Sequence, residues 1–571
     1  MNAGGLREKR FAQVLVVGLL LALAVQVLVF MLASSVTGDE MPSLMLGYQQ
    51  LRTGEPSPEE RNPVLIMLIS AAPLLALNPS LNPPVTGPRG HEGGYEFLYY
   101  NSRPDLMLFL GRLPVLVLSL LLGILVYRWA KRLYGRRAGV VALFFYAFSP
   151  TVISQSGLAT QDLGVAFFVT LALYHFWKFC RGPSFRLLFA TGVSIGLALA
   201  SKHNALLLIP SLLVLVLVGV WARNPMPVPG GWPAFRQHRV LRRMSFWCTV
   251  LVMLGALAVL TINAVYRFQG SGLPLGKLPL LERATAQASP LVNRLVNPYT
   301  QWLPVPLPWT YLRGLGSTLA RTTTTHGFPA FLMGDISPDG WWYYFPFAFA
   351  VKTPVPFLLV LFLSLTLIFR LRKLNWFDEL FLLVPIVVMF ILACRSHTQI
   401  GIRHLLVIHP LLFVFASKIL KLEFKQRLAA WIPAAMLGAW TILSCVEVCP
   451  HYIAYFNELV GGSRHGYHYL VDSNVDLGQD VKGLVRFMDR KGIDRMTFGH
   501  WIDLDPRYAG RFDRLQCGPT NGWIAVQADV LQGLTEAWGA DPPGCYAWLR
   551  EQQPVNEVGY SILLYHVPAA P

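Results

Sequence analysis

Apolar runs long enough to cross a lipid bilayer recur along the first four-fifths of this chain, and no other feature limits its fold as strongly. A spanning helix needs about 20 consecutive apolar residues, a length that runs such as 11–33 reach. The 571 residues are 54% hydrophobic and 14% charged, whereas about a quarter of the residues of a soluble globular protein are charged. The sequence therefore predicts an all-α, polytopic membrane protein.

The apolar runs predict roughly eleven transmembrane helices, at approximately 11–33, 107–127, 138–156, 162–180, 186–201, 203–222, 246–267, 343–369, 376–394, 402–420 and 428–448. The first run is too long for a cleaved signal peptide, so we expect it to stay as a helix. The tail loses the apolar runs and ends in the strand-like sequence SILLYHV, which predicts a small α/β domain. We therefore divide the chain into a transmembrane module at 1–448, with long loops at 34–106 and 268–342, and a soluble domain at 449–571.

Clusters of Lys and Arg predict how the chain is oriented. They fall at every second boundary between predicted helices, at 7–10, 128–137, 178–186, 236–243, 370–373 and 418–427. Because basic loops stay in the cytoplasm, we expect a cytoplasmic N-terminus. Both long loops follow odd-numbered helices and are therefore expected outside. The odd total of helices places the soluble domain outside as well. Since the net charge of +17 is spread over these boundaries, nucleic acid is not an expected partner.

Seven cysteines are scattered along the chain, and none has a metal-ligand spacing such as C-x-x-C. A cysteine-based metal site is therefore not expected. Cys517 and Cys545 lie in the polar tail, where they can form a disulfide if the tail faces an oxidising compartment. The sequence leaves their pairing open.

Acidic residues are predicted at the outer membrane surface, where they can act on an acceptor. Asp39 and Glu40 follow the first predicted helix, and Asp162 follows a short outer loop. Such a carboxylate can serve as a general base toward a hydroxyl or amine, while a neighbouring one positions the acceptor or tunes the first. Each also suits another role, because Asp39-Glu40 can be a solvated helix end and Asp162 a favourable charge at a helix N-terminus.

Basic and imidazole side chains are predicted at a matching depth, near the outer ends of helices: Arg112, Lys202, His203, Arg403 and His404. Such donors offset the desolvation of a phosphate and stabilise it as a leaving group. Snorkelling toward lipid headgroups is the alternative for each of them. Their convergence opposite the carboxylates favours transfer from a lipid phosphate, since a cytosolic nucleotide sugar cannot reach the outer face.

Two further stretches have two interpretations each. The sequences YFNELVGG and LVDSNVDLGQD are dense in carboxylates and amides. These groups can ligate a cation or bind an acceptor, and they can equally pack the soluble domain onto the membrane module. The stretch GWWYYFPFAFAVKTP can be a sugar-stacking platform, but an aromatic belt at the membrane interface is the favoured interpretation.

Motifs distributed from about residue 11 to about residue 490 carry a resemblance to a known family. They include DEMPSLMLGYQQLRTGE, GRLPVLVLSLLLGILVYRWAKRLYG, TQDLGVAFFVTLALYHF, GLALASKHNALLLIP and GIRHLLVIHPLLFVFASK. With them the chain resembles the GT-C membrane glycosyltransferases of family 39, which include protein O-mannosyltransferases and lipid A aminoarabinose transferases.

The resemblance implies a GT-C fold and inverting transfer of mannose or a related sugar. The donor would be a polyprenyl-phosphate-linked sugar, and the acceptor an extracytoplasmic lipid, glycan or protein. Asp39 matches the catalytic base, Glu40 its acidic neighbour, and Asp162 a second acid that faces the acceptor. The carrier phosphate would be held by three basic residues: Arg112, Lys202 and Arg403. No cofactor is implied, and a role for a divalent metal stays open.

Two departures from the family pattern narrow the expectation. Asn62-Pro63-Val64 stands where relatives often carry His-Pro-Pro, so any role of that histidine is missing here. The loop at 268–342 is too short for the sugar-binding module of eukaryotic relatives, which favours a bacterial-type member in the inner membrane. The alternative function is a lipid or solute transporter, which predicts paired halves and charges near the membrane midplane. This sequence shows neither pattern.

Overall fold

The computed structural model describes residues 3–55, 62–81, 90–221, 239–274, 302–323, 329–366, 376–421 and 427–568. Some predicted features lie partly or wholly outside these ranges: the loops at 34–106 and 268–342 and the basic clusters at 236–243, 370–373 and 418–427.

Helices dominate the chain up to Glu447, because an apolar run in lipid must satisfy its own backbone hydrogen bonds. They are α1 (Ala3–Ala33), α2 (Glu40–Thr53), α3 (Leu65–Ala71), α4 (Gly90–Tyr99), α5 (Pro104–Tyr134), α6 (Arg136–Ala147), α7 (Pro150–Ser156), α8 (Gln161–Arg181), α9 (Phe185–Leu199), α10 (Leu208–Trp221), α11 (Arg239–Val265), α12 (Trp309–Thr323), α13 (Tyr344–Lys352), α14 (Val355–Thr366), α15 (Trp376–Cys394), α16 (His409–Ala416) and α17 (Arg427–Glu447). Short 3-10 helices extend or join them at Ala72–Ala76, His203–Leu207, Ile402–Ile408 and Ser417–Lys421. Two strands, β1 (Ala330–Leu332) and β2 (Asp335–Ser337), pair antiparallel before α13.

Seven helical segments of the described chain are long and apolar enough to cross a membrane, and the count reaches nine if each of two bent pairs forms one span. The pairs are α6 with α7, bent by 67°, and α13 with α14, bent by 116°. All eleven predicted spans coincide with these segments or with the shorter apolar helices at Phe185–Leu199 and Ile432–Glu447. The predicted all-α membrane class is confirmed and the chain is an integral membrane protein, while the count of eleven stays a prediction.

Helix α8 lies near the centre of the bundle. Its apolar window is 78% buried, and it packs against α5 and α9. The corresponding window of α1 is only 22% buried, so most of that helix faces outward, as expected of a lipid-facing helix. Because Asp162 lies in the first turn of α8, its carboxylate is held within the protein and not at a peripheral helix end.

A five-stranded sheet forms the C-terminal part of the chain, as the strand-like tail predicts. The strands β3 (Met496–Gly499), β4 (Phe512–Arg514), β5 (Gly522–Gln527), β6 (Asn556–Val558) and β7 (Ile562–Val567) lie in the order β4-β3-β5-β7-β6. The β3 strand is parallel to β4 and β5, whereas β7 is antiparallel to β5 and β6. The helices of this region are α18 (Val481–Lys491), α19 (Pro506–Ala509), α20 (Ala528–Leu531), α21 (Leu534–Ala537) and α22 (Ala547–Arg550).

We call residues 481–567 the sheet domain and residues 472–480, which lead into it, the connector. Four 3-10 helices, at Tyr452–Ala454, Glu458–Val460, Ser463–His468 and Asp472–Asn474, link α17 to the sheet domain. Cys517 and Cys545 form a disulfide within the sheet domain, which answers the pairing that the sequence leaves open. The predicted domain boundary between 448 and 449 stays a prediction.

Candidate active site

A fully buried ion pair fixes the start of α2. The Arg112 guanidinium donates to both carboxylate oxygens of Glu40, over 2.7 Å from Nε to Oε1 and 2.7 Å from Nη2 to Oε2. The backbone N–H groups of Thr37 and Ala159 donate to the same carboxylate, at 3.0 and 2.8 Å. Burial of both charges is offset by their bidentate pairing and by these further hydrogen bonds.

Arg112 uses all of its donors inside the protein. Besides the two bonds to Glu40, Nη1 donates to the Met31 carbonyl and to the Ser34 hydroxyl, at 3.0 and 2.9 Å. Nη2 also donates to the Ser35 carbonyl at 2.7 Å. A guanidinium has five N–H donors, so a carrier phosphate could reach Arg112 only by displacing these partners.

Asp39, next to Glu40, forms a separate ion pair with Arg403. Its side chain is 45% exposed, whereas that of Arg403 is 9% exposed. Asp39 precedes the first turn of α2, and Arg403 lies in the 3-10 helix Ile402–Ile408. The structure thus gives two adjacent carboxylates different environments: Glu40 is sealed inside the protein, while Asp39 stays accessible beside a fixed cation.

A third pair joins Asp162 to Lys202 in the same part of the molecule. The Lys202 Nζ donates to Asp162 Oδ1 at 2.7 Å, with side-chain exposures of 15% and 2%. The charge of Arg403 also acts on Asp162. The structure therefore brings together four residues that the sequence singled out: Asp39, Asp162, Lys202 and Arg403.

The two predicted histidines differ from those four in their surroundings. The His203 ring packs against Tyr311, with 5.2 Å between ring centroids. In the described part of the chain neither of its buried ring nitrogens has a hydrogen-bond partner. The His404 ring contacts Phe345, with 6.5 Å between centroids. Both rings therefore contact an aromatic residue, and His404 lies in addition near the charges of Lys202, Arg403 and Asp162.

Asp472 is a further acidic residue of this region, and the sequence analysis included it only as one member of the polar stretch LVDSNVDLGQD. Desolvation by the surrounding protein raises the pKa of its carboxyl to about 7, and the nearby Arg403 charge opposes that rise. Its backbone has a φ of +57°, a conformation uncommon for residues other than glycine, and its N–H donates to Asp529 at 2.7 Å. A signal available in the sequence was the density of carboxylates and amides beyond the last apolar run.

Within the described residues, no three His, Cys, Asp or Glu side chains are grouped so as to hold a metal ion. The ionised side chains of the site offer acid–base and electrostatic chemistry. An accessible carboxylate can accept a proton, and partly exposed cations can stabilise negative charge on a leaving group.

Residues 107–234 match the family model described as dolichyl-phosphate-mannose-protein mannosyltransferase. The matched segment is about a fifth of the chain and contains Arg112, Asp162 and Lys202. No curated protein sequence matches this chain.

Several solved structures are similar to this one at low sequence identity. The apo crystal structure of ArnT from Cupriavidus metallidurans is 12% identical, with 95% of this chain and 96% of that chain covered and a TM-score of 0.46. The structure of the same protein bound to undecaprenyl phosphate is also 12% identical, with 95% of this chain and 97% of that chain covered and a TM-score of 0.45. The S. cerevisiae Pmt1-Pmt2 complex bound to the sugar donor is 17% identical, with 45% of this chain and 33% of that chain covered and a TM-score of 0.35. With TM-scores below 0.5, these likenesses carry no conclusion about substrates.

Proposed function

We propose that this chain is a membrane glycosyltransferase that transfers a sugar from a polyprenyl-phosphate carrier to an acceptor on the extracytoplasmic side, and the match of residues 107–234 to the mannosyltransferase family model supports this proposal. The sugar is mannose or a related one, and the acceptor is a lipid, a glycan or a protein. The dolichyl-phosphate mannose named by the matched family is a donor of this class. A transporter has no comparable support.

The observation that carries this proposal is the ion pair between accessible Asp39 and nearly buried Arg403. A neighbouring cation favours the ionised form of a carboxylate, which is the form that can accept a proton. Glu40 cannot share this role, because both of its oxygens are engaged by Arg112 and backbone N–H groups. Asp39 is therefore the proposed base, and Glu40 fixes the position of the residue next to it.

In the proposed reaction, an acceptor hydroxyl or amine attacks the anomeric carbon of the donor and gives its proton to Asp39. The bond between that carbon and the phosphate oxygen breaks with inversion, and its electron pair leaves with the polyprenyl phosphate. Lys202 and Arg403 stabilise the charge on the departing phosphate. Asp162 holds Lys202 through their 2.7 Å contact and faces the acceptor.

The proposed topology places the N-terminus in the cytoplasm and the soluble domain, residues 449–571, outside a bacterial inner membrane. The disulfide between Cys517 and Cys545 supports an external sheet domain, because disulfides persist in oxidising compartments. Labelling of intact cells should modify a cysteine introduced at exposed Asp494. Modification that requires cell lysis would contradict this orientation.

The reaction can be tested with purified protein in proteoliposomes and a membrane extract as the source of acceptor. Polyprenyl phosphates carrying mannose, a hexuronic acid or an amino sugar are supplied separately, and release of free polyprenyl phosphate is measured. At least one donor should be consumed, and Asp39→Asn should reduce its consumption by about 100-fold or more. Asp335→Asn, at an exposed residue of β2, is the matched control.

Two outcomes would contradict the proposal in different ways. Undiminished transfer by folded Asp39→Asn protein would remove Asp39 from the role of base. Failure of the wild-type protein to release carrier from any of the three donor classes would argue against a polyprenyl-phosphate donor.

A further inference from the structure

The connector contacts the loop that carries Asp39. The Ser35 N–H donates to the Gln479 carbonyl at 2.7 Å, and the Gly38 N–H donates to the Leu477 carbonyl at 3.2 Å. The first turn of α18 adds a bond in the opposite sense, because the Lys482 N–H donates to the Ser35 hydroxyl at 2.8 Å. Residues 35–38 are therefore held by backbone groups on both sides of Gln479.

The buried side chain of Gln479 fixes the turn that presents these carbonyls. Its Oε1 accepts from the Leu477 N–H at 2.7 Å, and its Nε2 donates to the Val475 carbonyl at 2.9 Å and to Asp480 Oδ2 at 2.8 Å. Gly478, with a φ of +88°, lets the chain reverse between these contacts. The amide of Gln479 thus sets the direction of the Leu477 and Gln479 carbonyls.

The same connector holds the segment that carries Arg403. The Ile402 N–H, one residue before Arg403, donates to Asn474 Oδ1 at 3.0 Å. The Ser473 hydroxyl donates to the Ile400 carbonyl at 2.6 Å. Asn474 is fully buried, and its Nδ2 donates to the Tyr344 hydroxyl at 2.9 Å. The backbone around Arg403 is therefore tied to the connector on both sides of Gly401.

We propose that Asn474 and Gln479 are positioning residues that set the placement of Asp39 relative to Arg403. The two partners of that ion pair come from distant parts of the chain, and each is anchored to the connector within a few residues of the charged side chain. This inference rests on the proposed function of Asp39 as a base. It gives the LVDSNVDLGQD stretch a role in the candidate site, because this stretch holds the two segments that carry Asp39 and Arg403.

The test compares Gln479→Leu, which removes the amide at similar volume, with Gln552→Leu at an exposed position of the sheet domain. Since small misplacements of reacting groups cost about 100-fold in rate, we expect kcat of Gln479→Leu to fall by about 10- to 100-fold while the KM for the donor changes little. The acid limb of the pH–rate profile should move to higher pH, because a carboxylate that loses its neighbouring guanidinium is harder to ionise.

Ser35→Ala provides a milder variant if Gln479→Leu fails to fold. It removes only the hydroxyl that accepts from Lys482, so kcat should fall by about 5-fold, the effect of one typical hydrogen bond. Ser35→Thr, which keeps the hydroxyl, should restore it. Hydrogen exchange of the 34–39 peptide, followed by mass spectrometry, should be faster in Gln479→Leu and Ser35→Ala than in Gln552→Leu.

The possible outcomes separate the two proposals. Two results would overturn the positioning role. One is hydrogen exchange in the 34–39 peptide of the variants at the wild-type rate. The other is a fall in kcat that merely matches the loss of folded protein while the pH–rate profile stays unchanged. Full activity of Asp39→Asn would instead overturn the proposed base. The exchange measurement does not depend on activity, so it tests the connector in either case.

Discussion

Asp39 and Arg403 form an ion pair across 364 residues of sequence, with the carboxylate half exposed and the guanidinium nearly buried. The neighbouring Glu40 pairs with Arg112 in full burial. Two adjacent acidic residues therefore differ in accessibility because each has a different basic partner, and this difference separates the proposed base from a residue that fixes the loop.

Replacing Arg403 should impair transfer in a graded way. Arg403→Gln removes the charge beside Asp39 and is expected to lower kcat by about 100-fold, in the range seen when one donor that stabilises a transition state is lost. Arg403→Lys keeps a point charge without the planar fork and should fall between this variant and wild type. Release of polyprenyl phosphate measures the effect, with Arg395→Gln at an exposed position as control. Equal rates for Arg403→Gln and Arg395→Gln would contradict this role.

Breaking the Glu40–Arg112 pair should lower the free energy of unfolding of the protein, whether or not the sugar donor is bound. Removing one member of a buried pair typically costs about 3–5 kcal/mol, so Glu40→Gln and Arg112→Met should each lower the Tm in detergent. The double variant should lose less than the sum of the two. Arg495→Met, from an exposed pair with Asp513, should leave the Tm nearly unchanged. Wild-type stability of Arg112→Met, with only a raised KM for the donor, would instead assign Arg112 to the phosphate.

Lys202 should act on the donor because its side chain remains partly exposed beside Asp162. Lys202→Gln is expected to raise the KM for the polyprenyl-phosphate sugar by about 10-fold, as a charge-assisted hydrogen bond of roughly 1.5 kcal/mol is lost. Steady-state kinetics over a range of donor concentrations measures the change, and Lys491→Gln at an exposed position is the control. An unchanged KM together with an unchanged kcat in a folded Lys202→Gln protein would limit Lys202 to pairing with Asp162.

Stability should fall as pH rises above the ordinary range of carboxyl groups. Burial raises the pKa of Asp476 to about 8, so between about pH 4 and pH 8 the unfolded chain releases this proton while the folded chain retains it. The unfolded state then binds fewer protons, and the free energy of unfolding decreases until the folded group also ionises near pH 8.

Asp476→Asn mimics the protonated carboxyl and should remove part of this decrease. Its Tm is expected to exceed that of wild type at pH 8.5 and to approach it at pH 4. Thermal melts across this range give the difference, with exposed Asp494→Asn as control. Parallel Tm curves for wild type and Asp476→Asn would show that the group does not titrate in this way.

The sequence predicted the membrane helices and the residues that gather at their ends, because apolar length and basic clusters determine where helices begin and end. It did not predict which acid pairs with which base. Asp39 and Glu40 are adjacent in sequence, and their partners depend on how α5 and the Ile402–Ile408 helix pack beside α2. Likewise, the proposed role of Asn474 and Gln479 depends on side-chain and backbone hydrogen bonds between distant segments, which local sequence patterns do not record.

The contacts made by Gln479 also determine the order in which the candidate site is completed during synthesis. The loop that carries Asp39 leaves the ribosome early, whereas its partner Arg403 follows 364 positions later. The connector residues that hold this loop, Leu477 and Gln479, follow more than 400 positions later. A nascent chain already inserted in the membrane therefore lacks the contacts that hold the Asp39 loop until translation passes the connector. Under the proposed function, unfinished copies are not expected to turn over carrier lipid.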